Sequence, residues 1–116
     1  MAIEQTLDFF SGNDVLLNYT VTNQDGTAKD LTAASAVVFI IGVKAGKPAL
    51  VTKTLGAGIA ITTPLQGKFT VTLVPADTEA IKGGGYYHEA RVTDAAGKKV
   101  TVTYGTLNLR ENTIAS

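Results

Sequence analysis

Apolar and polar residues alternate along most of this chain, and glycine, proline, asparagine and aspartate cut the alternation into short runs. Such a pattern predicts strands with one face in a core and the other in water. The first run is Ile3 to Phe10, closed by Ser11-Gly12-Asn13-Asp14. The second is Val15 to Asn23, where Leu17, Tyr19 and Val21 share a parity against Asn18, Thr20 and Thr22. Asp25-Gly26 then predicts a turn, because glycine takes a positive φ without a Cβ clash. Asp30 is placed to bond nearby backbone N–H groups ahead of the third strand.

That third strand, Ser35 to Lys44, breaks the rule. Val37, Phe39 and Ile41 fill one face, but Val38 and Ile40 make the other face apolar too. Either the strand is covered on both sides, or its second face meets another chain. Gly46-Lys47-Pro48 turns the chain into a fourth strand, Ala49 to Leu55, and a short fifth, Ile59 to Thr62. Pro64-Leu65-Gln66-Gly67 is a turn, and Lys68 to Val74 alternates again. Over 75–82 the period changes to that of one helical turn, with Asp77 or Thr78 as its cap and Lys82 near its C-terminal end. Gly83-Gly84-Gly85 reads as a flexible terminator of that turn.

Tyr86 to Asp94 is the seventh strand, with Tyr86, His88, Ala90 and Val92 on one face and Tyr87, Glu89, Arg91 and Thr93 on the other. A hairpin loop at Asp94 to Lys98 leads to the last strand, Lys99 to Arg110. Val100, Val102 and Tyr104 keep one parity there, whereas Leu107 and Leu109 have the opposite one. A β-bulge at Gly105 would restore the inward direction. Seven or eight short strands and one helical turn predict an all-β antiparallel sandwich or barrel, the sandwich leading. It occupies residues 1–110 as a single domain, with 111–116 as a C-terminal extension.

Composition narrows function mainly by exclusion. The 116 residues are 45% hydrophobic and 17% charged, which suits one folded domain and its core. Ten basic and ten acidic residues cancel, so the basic excess of a nucleic-acid partner is missing. No apolar run is long enough to span a bilayer as a helix, and the N-terminus has no leader-like pattern, so the expectation is a chain made in the cytosol without a membrane partner. The absence of cysteine excludes disulfides, thiolate metal sites and cysteine nucleophiles.

His88 is the single histidine, and its parity puts it on the core face without an accompanying nucleophile motif. It reads as a hydrogen-bonded, partly buried side chain. The carboxylates are scattered singly, so no metal site, catalytic site or cofactor is expected. The glycine run leads from a helical turn into a strand, the reverse of a phosphate-binding loop. Of the tyrosines, parity turns Tyr19, Tyr86 and Tyr104 inward and leaves Tyr87 outward. Val38, Ile40 and Tyr87 are thus the candidate interface residues, for assembly or, alternatively, for a carbohydrate or host surface.

Several features occur in a familiar order: Gly12-Asn13-Asp14, Asp25-Gly26, Asp30-Leu31-Thr32, Gly58-Ile59, Gly67-Lys68-Phe69-Thr70-Val71, Asp77-Thr78, Gly85-Tyr86-Tyr87-His88-Glu89-Ala90-Arg91-Val92, Gly97 and Gly105-Thr106-Leu107. The order resembles small structural proteins of tailed bacteriophages and prophages, in particular the N-terminal domain of the phage baseplate upper protein. The resemblance implies an immunoglobulin-like β-sandwich without catalytic residues. It further implies a place in the virion, on the tail, baseplate or capsid, after synthesis in the bacterial host cytoplasm. The partners it implies are other virion proteins and further copies of the chain, in a trimer or ring.

Overall fold

The computed structural model describes residues 3–23, 26–32, 34–44, 46, 48–79 and 81–110. Its strands are β1 (Ile3–Glu4), β2 (Leu7–Phe10), β3 (Val15–Thr20), β4 (Ala36–Gly42), β5 (Ala49–Leu55), β6 (Gly58–Thr63), β7 (Lys68–Leu73), β8 (Gly84–Thr93) and β9 (Lys99–Arg110). A 3₁₀ turn covers Pro64–Gln66, and a single helical turn, α1, covers Pro75–Thr78. The extension expected over 111–116 and part of the Asp25-Gly26 and Gly46-Lys47-Pro48 turns lie outside the described residues.

Hydrogen bonding links the strands in the order β1-β9-β8-β4-β5-β6-β7-β3, with β2 continuing β1 along β9. The path folds back on itself where the chain passes from β5 to β6 around Gly56. Tyr19 of β3 then meets Phe39 of β4, their ring centroids 6.3 Å apart, although these strands are far apart in the hydrogen-bonded order. One layer is therefore β9-β8-β4-β5 with β1 and β2 on its edge, and the other is β3-β7-β6. With β3, β4, β7, β8 and β9 in the roles of strands B, C, E, F and G, this is the immunoglobulin-like β-sandwich.

The core is what the alternation promised. Val37, Phe39 and Ile41, Phe69, Val71 and Leu73, and Ala90 and Val92 point between the layers and are buried. One local signature of the fold is also met, and another is replaced. Tyr86 lies near the start of strand β8 and its hydroxyl donates to the Lys82 carbonyl four residues earlier, which is the tyrosine corner of such sandwiches. Antibody domains place a disulfide and a tryptophan at the centre of the core. Here Tyr19, Phe39 and His88 stand there, with Phe39 and His88 stacked at 6.4 Å.

Four expectations need correction. The sandwich is not purely antiparallel: β1 and β2 run parallel to β9, and two residue pairs between β5 and β6 are parallel. The bulge lies at Val102, because Ala90 pairs with Thr103 whereas Arg91 pairs with Thr101. Beyond it Thr103 is buried and Tyr104 is exposed, so Tyr104 points outward. Gly84 and Gly85 are not a terminator; they pair with Leu109 and Asn108 as the start of β8. The helical turn stops at Thr78. Asp77 accepts the Val74 N–H at 2.7 Å, but Thr78 is buried and accepts the Gly12 N–H at 2.9 Å. Thr78 is thus a tie between two loops and not a cap.

Candidate functional site

The outer face of β4, β8 and β9 carries the residues singled out by pattern. In β4 the even positions Val38 and Ile40 face away from the core and are half-buried. Across the ladder Val38 pairs with Arg91, and Ile40 with Glu89. Tyr87 sits one step further along the same face of β8. The structure brings Val38, Ile40 and Tyr87 together around one shallow depression of about 220 Å³, rimmed by Glu89, Arg91 and Lys44. The doubly apolar third strand is explained in this way: one face is core, and the other is the floor of an open surface.

The rim combines a phenol, a carboxylate and two cationic side chains. The Tyr87 hydroxyl donates to Glu89 Oε1 at 2.8 Å. Partial burial, aided by that carboxylate, pushes the phenol pKa up to about 12, so Tyr87 stays a neutral donor across the physiological range. Tyr104, paired with Glu89 across the ladder, adds a second outward aromatic ring. Parity taken through a bulge at Gly105 hid it, because the bulge lies at Val102 instead. Glu89 and Arg91 put opposite charges on successive outward positions of one strand.

His88 is inside the sandwich, away from this face. It is fully buried, and its Nε2–H donates to the Gln5 carbonyl at 2.7 Å. Its Nδ1 has no hydrogen-bond partner. Desolvation lowers its pKa below the ordinary 6.5, and the Gln5 carbonyl opposes that only in part. The expected inward, hydrogen-bonded histidine is therefore found, but it is fully rather than partly buried. Sequence reasoning missed its partner, which comes from the break between β1 and β2. There Gln5 turns its carbonyl inward over Gly105, where a Cβ would stand 2.2 Å from that oxygen. Gly105 also has φ +146°, so glycine is required twice over.

Among the described residues, no three or more His, Cys, Asp or Glu side chains gather as a metal site would need. No helix among them is long and apolar enough to cross a membrane. Among the described residues, ion pairs join Lys53 to Asp77 at 2.9 Å, Lys29 to Asp94 at 3.6 Å, and Arg110 to Asp8 at 2.8 Å.

No family model matches the chain, and no curated protein sequence matches it. Among solved structures, one similar chain belongs to the crystal structure of ICOS in complex with ICOS-L and an anti ICOS-L VNAR domain. It is 12% identical with a TM-score of 0.46, over 96% of this chain and 56% of that one. The chain thus spans just over half the length of that neighbour.

Proposed function

We propose that this chain is a non-catalytic structural domain of a bacteriophage particle, a tail or baseplate component or a capsid decoration, that works by docking. The docking surface is the outer face of β4, β8 and β9, and its partners are other virion proteins and further copies of the chain in a ring or trimer. One observation carries the reading: Val38, Ile40 and Tyr87 share a single depression on an open sheet face, between charges of opposite sign. Two half-buried aliphatic side chains beside an aromatic ring on an open sheet face offer a partner a small apolar contact framed by charges. The absence of catalysis is supported by the use of His88, whose ring is enclosed and committed to Gln5. The particle assignment is supported by the order of turn and strand residues from Gly12 to Leu107.

The test is assembly state. The chain of 12.1 kDa is expected to elute with a mass that is a multiple of its own, by light scattering. Val38→Asp and Ile40→Asp are expected to elute as monomers with an unchanged circular-dichroism spectrum. Unfolding of both variants would show that this face is buried for stability alone and would remove the docking reading. Mass spectrometry of purified particles checks the location, and absence of the chain from them sinks the virion assignment.

A further inference from the structure

Among the described residues, the sandwich is one strand short on one side. In domains of this kind the first strand commonly pairs with strand B, here β3. In this chain both segments of the N-terminal strand go to β9 instead: Ile3 and Glu4 pair with Thr103 and Tyr104, and Leu7 to Phe10 with Leu107 to Arg110. Among the described residues, β3 has only β7 as a neighbour. The hydrogen bond from Val21 N–H to Gly67 O fixes the phase of that ladder. Val15, Leu17 and Tyr19 exchange bonds with β7, so the N–H and C=O groups of Leu16, Asn18 and Thr20 point to the open edge.

Natural edges are usually blunted by lysine, proline or a bulge. β3, Val-Leu-Leu-Asn-Tyr-Thr, has no charge and no proline, and its ladder with β7 runs without a register shift. Leu16 is 61% exposed on it.

A second, independent observation lies beside this edge. A slit of about 300 Å³ opens between β3 and the β1/β9 edge, lined by Glu4, Gln5, Asn18, Tyr19, Thr20, Val102 and Thr103. Tyr19 is 7% exposed, and its buried hydroxyl has no hydrogen-bond partner. A buried phenol without a partner carries a desolvation cost that a ligand group entering the slit would remove.

We propose that β3 and this slit form an acceptor for an extended strand donated by another protein chain. Main-chain groups of the donor pair with Leu16, Asn18 and Thr20. Its inward side chain opposite Tyr19 enters the slit with an amide or hydroxyl group, which bonds the Tyr19 hydroxyl. The donor is uncharged or basic where it passes Glu4. A second copy pairing through its own β3 fits less well: its Leu17 and Tyr19 already belong to its own core, and nothing of it would fill the slit. This acceptor lies on the other layer from the Val38, Ile40 and Tyr87 face and is independent of it.

Because main-chain bonds carry strand addition, the acceptor is tolerant of donor sequence. The probe is a capped, fluorescein-labelled peptide with the sequence of residues 67–74, which already pairs with β3 in the fold, and the same peptide with Asn in place of Phe69, the residue opposite Tyr19 in that register. Fluorescence anisotropy with the full chain is expected to show saturable binding, tighter for the Asn peptide. Asn18→Pro removes an N–H from the open edge only and is expected to weaken binding at least about tenfold. Ile40→Asp is expected to leave it unchanged, which separates this acceptor from the docking face.

Tyr19→Phe keeps the ring in the core. It is expected to weaken the Asn peptide about three- to tenfold while sparing the unsubstituted peptide. The proposal is overturned if neither peptide binds saturably, or if a folded Asn18→Pro binds as well as the parent. It is also overturned if Tyr19→Phe treats both peptides alike. Sedimentation that shows a dimer dissolved by Asn18→Pro, with peptides unable to compete, assigns the edge to a second copy and overturns the donor.

Discussion

At the scale of single residues, His88 shows how far parity reaches. Its place in Tyr86-x-His88-x-Ala90 marked it as inward, and it is inward. Its partner came from 83 residues away, which no local pattern encodes. Burial gives it a consequence for stability. In the unfolded chain His88 takes up a proton as pH falls through about 6.5; in the folded chain it resists, because its pKa is lowered. Below pH 6.5 the unfolded state therefore binds more protons, and stability falls as pH drops toward the folded pKa. Above 6.5 this group contributes no pH dependence. The carboxyls of Asp8, Asp30 and Asp94 are held below 3.8 by their hydrogen bonds, so they act in a lower window. Urea midpoints are expected to decline between pH 7.5 and 5.5, and His88→Phe is expected to flatten that decline. An equal slope in the variant would locate the sensitivity elsewhere.

At the scale of elements, the pattern located strands well and irregularities poorly. β5 and β9 begin and end where the alternation said. The bulge did not fall at Gly105, because opposite parities at Val102 and Leu107 only bracket it between those residues. Gly105 is there for the close approach of Gln5, a tertiary demand that looks like a bulge signal in sequence. The helical turn shortened for a similar reason: Thr78 is spent on the Gly12 N–H, and the glycines that follow are taken into β8. Tyr86 is where a turn and a strand are joined, its hydroxyl on the Lys82 carbonyl. Tyr86→Phe keeps the ring on the core and removes that bond, at a cost of about 0.5–1.5 kcal/mol. Chemical denaturation measures it, and a loss near zero would mean that water replaces the hydroxyl without penalty.

At the scale of the whole molecule, two layers and their inward faces could be read from sequence, but the destination of the N-terminal strand could not. Ile3 to Phe10 alternates equally well against β3 or β9, and parity says nothing about which neighbour it takes. That choice, made by the Gln5 carbonyl reaching His88 over Gly105, leaves β3 open. An open, uncharged edge has a cost in solution, since it can pair with the same edge of any other copy. Leu16 lies on the outer face of that edge, so a lysine there adds a charge without touching the core. Leu16→Lys is expected to keep folding stability within about 0.5 kcal/mol and to slow the growth of turbidity in concentrated solution held below the unfolding transition. A charge placed equally far from β3, as in Leu65→Lys on the exposed 3₁₀ turn, is the control, because net charge alone also raises solubility. If the two variants delay turbidity equally, the effect belongs to net charge and the edge is not the route of association. A delay confined to Leu16→Lys assigns the liability to β3.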